Sequence, residues 1–191
     1  MNAHTLAELQ TFSRYVLDLI VNPIPTSRRL PNISWLSLVI AQISLALAAS
    51  FLSGIIAWSI LQTIATAFIL PLSTLFVSYL ISCILLLYFR LFLGQTHELF
   101  KFYKISAVSL IPYLLSYPFT PLLPPIILIG CAFAGIIMVV SLVENFPIDK
   151  TKAMQIVGTV IAIFFLFWTL NQILSHETPH QLPPPHAESD N

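Results

Sequence analysis

The residues of this chain that could carry chemistry are five histidines, two cysteines, eight carboxylates and a few glutamines set in apolar sequence. His176, His180 and His186 with Glu177 are metal-ligand types, but their spacing fits no compact ligand pattern, and the Pro-rich segment around them would first have to be ordered. His97 and Glu98 are neighbours in a polar stretch and read as a solvated loop pair rather than an acid–base dyad. Nucleophilic catalysis needs a nucleophile oriented by a base and a third group, and no such set can be assembled here. Gly-rich phosphate loops are absent, so neither an enzyme nor a cofactor is expected.

Gln42, Gln62 and Gln155 are the strongest polar groups near the long apolar runs, and interhelical hydrogen bonding is the role expected of each. Function at membrane depth usually requires a titratable group, because its insertion cost is tolerated only where it serves a pathway or a ligand. The apolar runs contain none of Asp, Glu, Lys, Arg or His, which disfavours ion-coupled transport and proton relays. Cys83 lies about 10 Å from the inner end of its run and Cys131 about 8 Å from the outer end of its own. An unstrained disulfide needs Cα atoms within about 7 Å, so the two are expected as separate buried thiols.

The elements that hold these residues are written in charge. Only 8% of the chain is charged and 57% is hydrophobic, against about 25% charged in an ordinary soluble domain. All eight Lys and Arg fall in three clusters, Arg14 to Arg29, Arg90 to Lys104 and Lys150 to Lys152. Cytoplasmic ends of membrane helices keep Lys and Arg while translocated loops lose them, so the clusters mark the returns of a chain that crosses repeatedly. A span needs about 20 apolar residues, and residues 30–89 therefore hold two. The expected fold class is an all-α polytopic membrane bundle of five transmembrane helices, with a cytoplasmic N-terminus and an external C-terminus. The expected spans are residues 34–58, 65–89, the stretch from Lys104 to Tyr117, 125–143 and 152–172. The apolar run near Ile33 begins too late for a signal peptide, so the first span should be uncleaved. Zero net charge gives no hint of a nucleic-acid partner.

Three parts follow: residues 1–32 as a cytoplasmic amphipathic helix and linker, 33–174 as the membrane domain, and 175–191 as a flexible polar tail. Leu6, Leu9, Phe12, Val16 and Leu19 make one helical stripe, with Thr5 and Glu8 in capping-box spacing. That helix either lies in the membrane interface or packs on the protein itself. Asn22-Pro23-Ile24-Pro25-Thr26 ends it. Trp35 and Trp58 bracket the first span at roughly 34 Å, as interfacial aromatics would. Pro71 sits toward the outer end of the second span, and residues 91–104 read as a loop on the headgroups. Pro112 interrupts the third span, and Pro118, Pro121, Pro124 and Pro125 stop regular helix soon after Ser116. Small residues at four-residue spacing, Ala46, Ser50 and Gly54, Gly130 and Ala134, Cys131 and Gly135, and Gly158 and Ala162, would let helices approach closely. Asn32-Ile33-Ser34 is a glycosylation pattern on the cytoplasmic side by the charge rule, and so should be unmodified.

Residues 10–174 resemble the Yip1 domain family. The segment Leu99 to Ser116, with Ala107-Val108-Ser109-Leu110-Ile111-Pro112, is similar to that family's Tyr-Ser-Leu-x-Pro region, and Lys152-Ala153 opens the last span in a similar way. The resemblance implies a five-span fold in which Pro112 and Lys152 matter for shape rather than catalysis. Eukaryotic members bind small Rab-type GTPases and one another in the early secretory pathway. This sequence shows no long cytosolic region before the first span, so small-GTPase binding is not expected, and it looks closest to the short bacterial inner-membrane type. The function expected is non-catalytic association with the lipid bilayer, with other membrane proteins or with itself. The alternative is a permease or channel subunit for a neutral or lipid-like solute, with a mid-membrane cavity lined by Gln42, Ser106, Ser109 and Thr159.

Overall fold

A computed structural model describes residues 3–176, apart from the side chains at 3, 62, 164, 167, 168 and 171–176. The polar tail and its Glu177, His180 and His186 lie outside the described residues, as does the side chain of His176. Among the described residues the chain is helical throughout, with no strand. Helix α1 spans Ala3–Val21, α2 Pro23–Ser27, α3 Trp35–Ala57, α4 Ile60–Phe92, α5 Leu99–Ser109 and α6 Ile111–Ser116. A 3₁₀ turn, Tyr117–Phe119, leads to α7, Ile126–Asn145, and α8, Lys150–His176.

Three of these helices are long and apolar enough to cross a membrane: α3, α4 over Thr63–Phe92, and α7. Their side chains are apolar on nearly all faces, and the outward ones, including Phe51, Ile55, Phe68, Phe76 and Phe133, remain exposed. A helix that is hydrophobic all round while only partly covered by protein is adapted to a lipid surround rather than to water. α8 has 27 residues and carries no charge between Lys152 and His176.

α3 and α4 form an antiparallel hairpin. Close approach is enforced at Gly54, where an added Cβ would run into the Thr63 side chain. The turn places Trp58 in the left-handed region at φ 53°, with the Ser59 N–H donating to the Gly54 carbonyl. A bulky residue there costs about 1–2 kcal/mol, yet Trp58 is 95% exposed and makes the outermost point of the hairpin.

Two expectations are corrected, the capping box and the headgroup loop. α1 begins at Ala3, before Thr5, so no capping box forms, and the Glu8 carboxylate turns to α3 instead. α1 ends at Val21, where the Asn22–Thr26 segment was expected to end it, and Pro23 then starts the short helix α2, because its fixed φ suits a first helical turn. Residues 99–104 belong to α5 and are not a headgroup loop: Phe102 and Tyr103 are buried, and Phe102 stacks on Phe146 at 4.7 Å and 6°. Each such ring pair contributes about 0.5–1.5 kcal/mol beyond its buried area, enough to draw the segment into the bundle. The stretch from Lys104 to Tyr117 is interrupted at Pro112, as expected. Pro112 has no N–H to offer the preceding turn, so α5 stops at Ser109 and α6 starts afresh with Pro in its first turn.

The core has three parts. One joins α4, α5, α7 and α8 around Leu85, Phe89, Phe102, Leu142 and Ile156. A second seats α1 on the bundle, with Phe12 and Leu19 against Leu38, Val108, Ile111 and Ile137. Of the two placements open to α1, packing on the protein is the one observed. The third lies nearer the Pro-rich turn, where Ala46 and Ala49 meet Leu70 and Leu114.

Candidate functional site

The charged groups of α3–α8 and their connecting loops collect at one end of the bundle, and short contacts show how. Arg28 Nε pairs with Glu144 Oε1 at 3.3 Å, Lys101 Nζ donates to the Asn145 carbonyl at 3.1 Å, and Asn145 Nδ2 donates to the Arg28 carbonyl. Ser141 Oγ donates to the Ser27 carbonyl, fastening α2 to α7. Lys101 also lies over the Phe146 ring, 4.6 Å from its centroid, and Lys104 over Phe100. Arg90, Lys150 and Lys152 are exposed at the same end.

Glu8 closes the N-terminus of α3. Its carboxylate accepts from Ser34 Oγ at 2.6 Å, from the Ser34 N–H and from Ser37 Oγ, while Ser34 Oγ accepts from the Ser37 N–H as N-cap. Donation from Ser34 and then Ser37 holds the Glu8 carboxyl below its ordinary value. His97 is half-buried beside Phe89, Phe102 and Phe146, with Nε2 3.2 Å from Gln95 Oε1, and is not paired with Glu98.

Below this charged end runs a buried polar seam. Gln42 Nε2 donates to the Thr74 carbonyl at 3.1 Å and to Ser78 Oγ at 2.7 Å, and its Oε1 accepts from the Tyr103 hydroxyl at 2.9 Å. Farther along, Ser82 Oγ donates to Ser106 Oγ at 3.2 Å. Ser50 Oγ reaches the Ala46 and Thr66 carbonyls, both at 3.0 Å. These bonds tie α3 to α4 and both to α5, because a polar group away from water requires a partner. Ser109 Oγ, at the break before α6, is buried without one.

The small residues expected to permit close packing divide into two groups. Ala46, Ser50 and Gly54 face α4, and Gly130 and Ala134 are buried in α7. A Cβ on Gly130 would strike Ser116 Oγ and lie 3.1 Å from the Pro112 carbonyl oxygen, so α6 crosses α7 at backbone distance. Gly158 and Ala162 are exposed, and nothing stands within 4 Å of a Cβ built on Gly158. Pro112 opens α6, and Lys152 stands exposed in the first turn of α8. Both cysteines are free thiols.

Among the described residues, Gln42, Ser106 and Ser109 are buried within the bundle and do not line the cavity that Thr159 borders. That cavity, of about 650 Å³, lies between α4, α7 and α8, and of the expected lining only Thr159 takes part. Its walls are largely Leu, Ile, Val and Met, with Tyr113 at the α5–α6 break and Cys131 of α7 at one end, and Tyr88 and Gln155 at the other. Gln155 is exposed there. The cavity is invisible in sequence because its walls come from segments up to 90 residues apart, Ser73 to Ile163. The side chain of Gln62 lies outside the described residues.

No protein-family model matches this chain, and neither a curated protein nor a solved structure does.

Proposed function

We propose that this is a non-catalytic integral membrane protein of Yip1-like type that works by associating with other membrane proteins or by organising the bilayer locally. In this reading it has five spans, α3, α4, the broken pair α5–α6, α7 and α8, with the basic end cytoplasmic and the far end of α8 outside. The carrying observation is the division of polar groups: charges sit at one end of the bundle, while the seam around Gln42 is hydrogen-bonded internally. Such an interior stabilises helix packing and presents no oriented nucleophile or proton pathway. The membrane proposed is a bacterial inner membrane, or otherwise an early secretory membrane.

Topology reporters test the orientation. Fusions in residues 93–98 and 146–149 should report cytoplasm, and fusions at Ser59 and in 120–125 the opposite side. Crosslinking in native membranes tests the activity: adducts with other membrane proteins or with a second copy are expected, and a strictly monomeric, partnerless protein refutes it.

One observation favours the permease reading as a second choice, namely the cavity beside α8. Flux of a lipid-like solute in reconstituted vesicles, abolished by filling that cavity, would establish it over association.

A further inference from the structure

The cleft between α4 and α8 opens sideways. Leu80 and Ile84 on one lip and Thr159 and Ile163 on the other are exposed, while Ile81 and Met138 lie buried at its floor. If α4 and α8 cross a bilayer, as proposed above, that opening meets acyl chains and not water. An apolar hollow with nothing in it forfeits dispersion contacts on all its walls. Its size falls in the range of about 300–1,000 Å³ in which proteins hold small molecules.

Length and polarity specify the occupant. Along α4 the lining runs from Ser73 to Tyr88, about 22 Å at the helical rise, and along α8 from Gln155 to Ile163, about 12 Å. Half of a hydrocarbon core is about 15 Å, so the cleft has the reach of one leaflet, beginning at the basic end. The serine and threonine hydroxyls inside it are satisfied by their own helices: Ser73 donates to Leu70, Thr74 to Pro71 and Thr159 to Gln155 carbonyls. The interior therefore shows an occupant chiefly carbon. At the basic end the character changes. Tyr88 and Gln155 rim the cleft, and Lys152 continues the stripe formed by Gln155, Ile156, Thr159 and Ile163 one turn further. Asp149 is exposed before that turn, and Glu144 pairs with Arg28.

We infer that the α4–α8 cleft is a binding site for one acyl chain of an anionic glycerophospholipid from the leaflet at the basic end, with Lys152 and Gln155 receiving its phosphate. The inference rests on the membrane reading for the cleft's surroundings. It is separate from the choice of protein partners.

The test uses the full chain reconstituted in phosphatidylcholine vesicles containing a minor fraction of phosphatidylglycerol with a mid-chain diazirine. After irradiation, adducts are mapped by mass spectrometry. Adducts should concentrate on residues 77–88 and 155–163 over equally exposed surface such as Phe51 and Ile55 of α3. Val160→Trp, which fills the cleft, should remove the cleft adducts and leave those on α3. Ile84→Trp does the same from the opposite wall, should the first variant fail to fold. Lys152→Gln should cut the preference for phosphatidylglycerol over an equivalent phosphatidylcholine probe about fivefold. Uniform labelling around the bundle overturns the site, as does a second copy or another protein found crosslinked in the cleft in place of lipid. Equal labelling by both probes in the unaltered protein overturns the anionic assignment. Correct topology with uniform labelling sinks this inference alone, whereas wrong topology sinks the membrane reading.

Discussion

Replacing Gln42 with Leu probes the polar seam directly. The Gln42 residue is 3% exposed and makes three bonds to other helices: two donated, to Thr74 O and Ser78 Oγ, and one accepted from Tyr103. Interhelical hydrogen bonds in membranes average about 0.6 kcal/mol, so losing three removes about 2 kcal/mol. The larger effect is on what remains. Tyr103 is 2% exposed and would be left with a hydroxyl lacking its partner, which adds about 1–3 kcal/mol. Q42L should therefore destabilise the bundle by about 3–5 kcal/mol in total. Tyr103→Phe alone should cost about 1 kcal/mol, and the double variant should recover part of the penalty because the Tyr103 hydroxyl is then no longer stranded, a coupling of about 1–2 kcal/mol. The assay is reversible unfolding by SDS in mixed micelles, followed by far-ultraviolet circular dichroism. A Q42L protein within about 0.5 kcal/mol of the unaltered chain, or strict additivity with Y103F, would refute the claim that this seam holds α3 to α4 and α5.

The two classes of small residue should part under substitution. Gly130→Val forces α6 and α7 apart against the fixed Pro112 carbonyl and should cost at least about 1–3 kcal/mol, whereas Gly158→Ala meets open space and should gain about 1 kcal/mol from helix propensity; the same micelle titration reads both, and the reverse order would contradict the packing described. For Glu8, whose folded pKa lies below 4.5, the contribution to stability is complete above that value and is lost as pH falls through the lower, folded one. Amide protection over residues 9–19, taken relative to the intrinsic exchange rate at each pH, should fall in that acidic window and should stay level there in Glu8→Gln; an unaltered acid loss of protection in the variant would remove Glu8 as the cause.

Much of the element pattern was legible because it is local. Runs of uncharged apolar residues bounded by basic clusters put the first span at 34–58, and α3 is Trp35–Ala57 with Ser34 as its cap. The fourth, read as 125–143, is Ile126–Asn145, and the last begins two residues early at Lys150. α4 was read too short at both ends. It starts at Ile60 and so carries Pro71 three turns inside, since the missing N–H leaves one carbonyl, that of Ala67, without its helical donor, and membrane helices tolerate such an interruption.

By itself, the sequence determined the class of molecule: helical, apolar on nearly every face of its long helices, with charge held to a few turns. Hydropathy and charge act through each residue's own solvation, and no neighbour is needed to state them. The tertiary structure alone decided what each polar or small residue meets. Glu8 leaves its own helix for α3, Leu99–Lys104 leave the interface for the bundle, and Gly130 meets a backbone where Gly158 meets nothing. Four-residue spacing says that a helix face could be approached. Whether another helix arrives depends on crossing angles and turns far away in sequence, and so does the cleft that α8 leaves against α4.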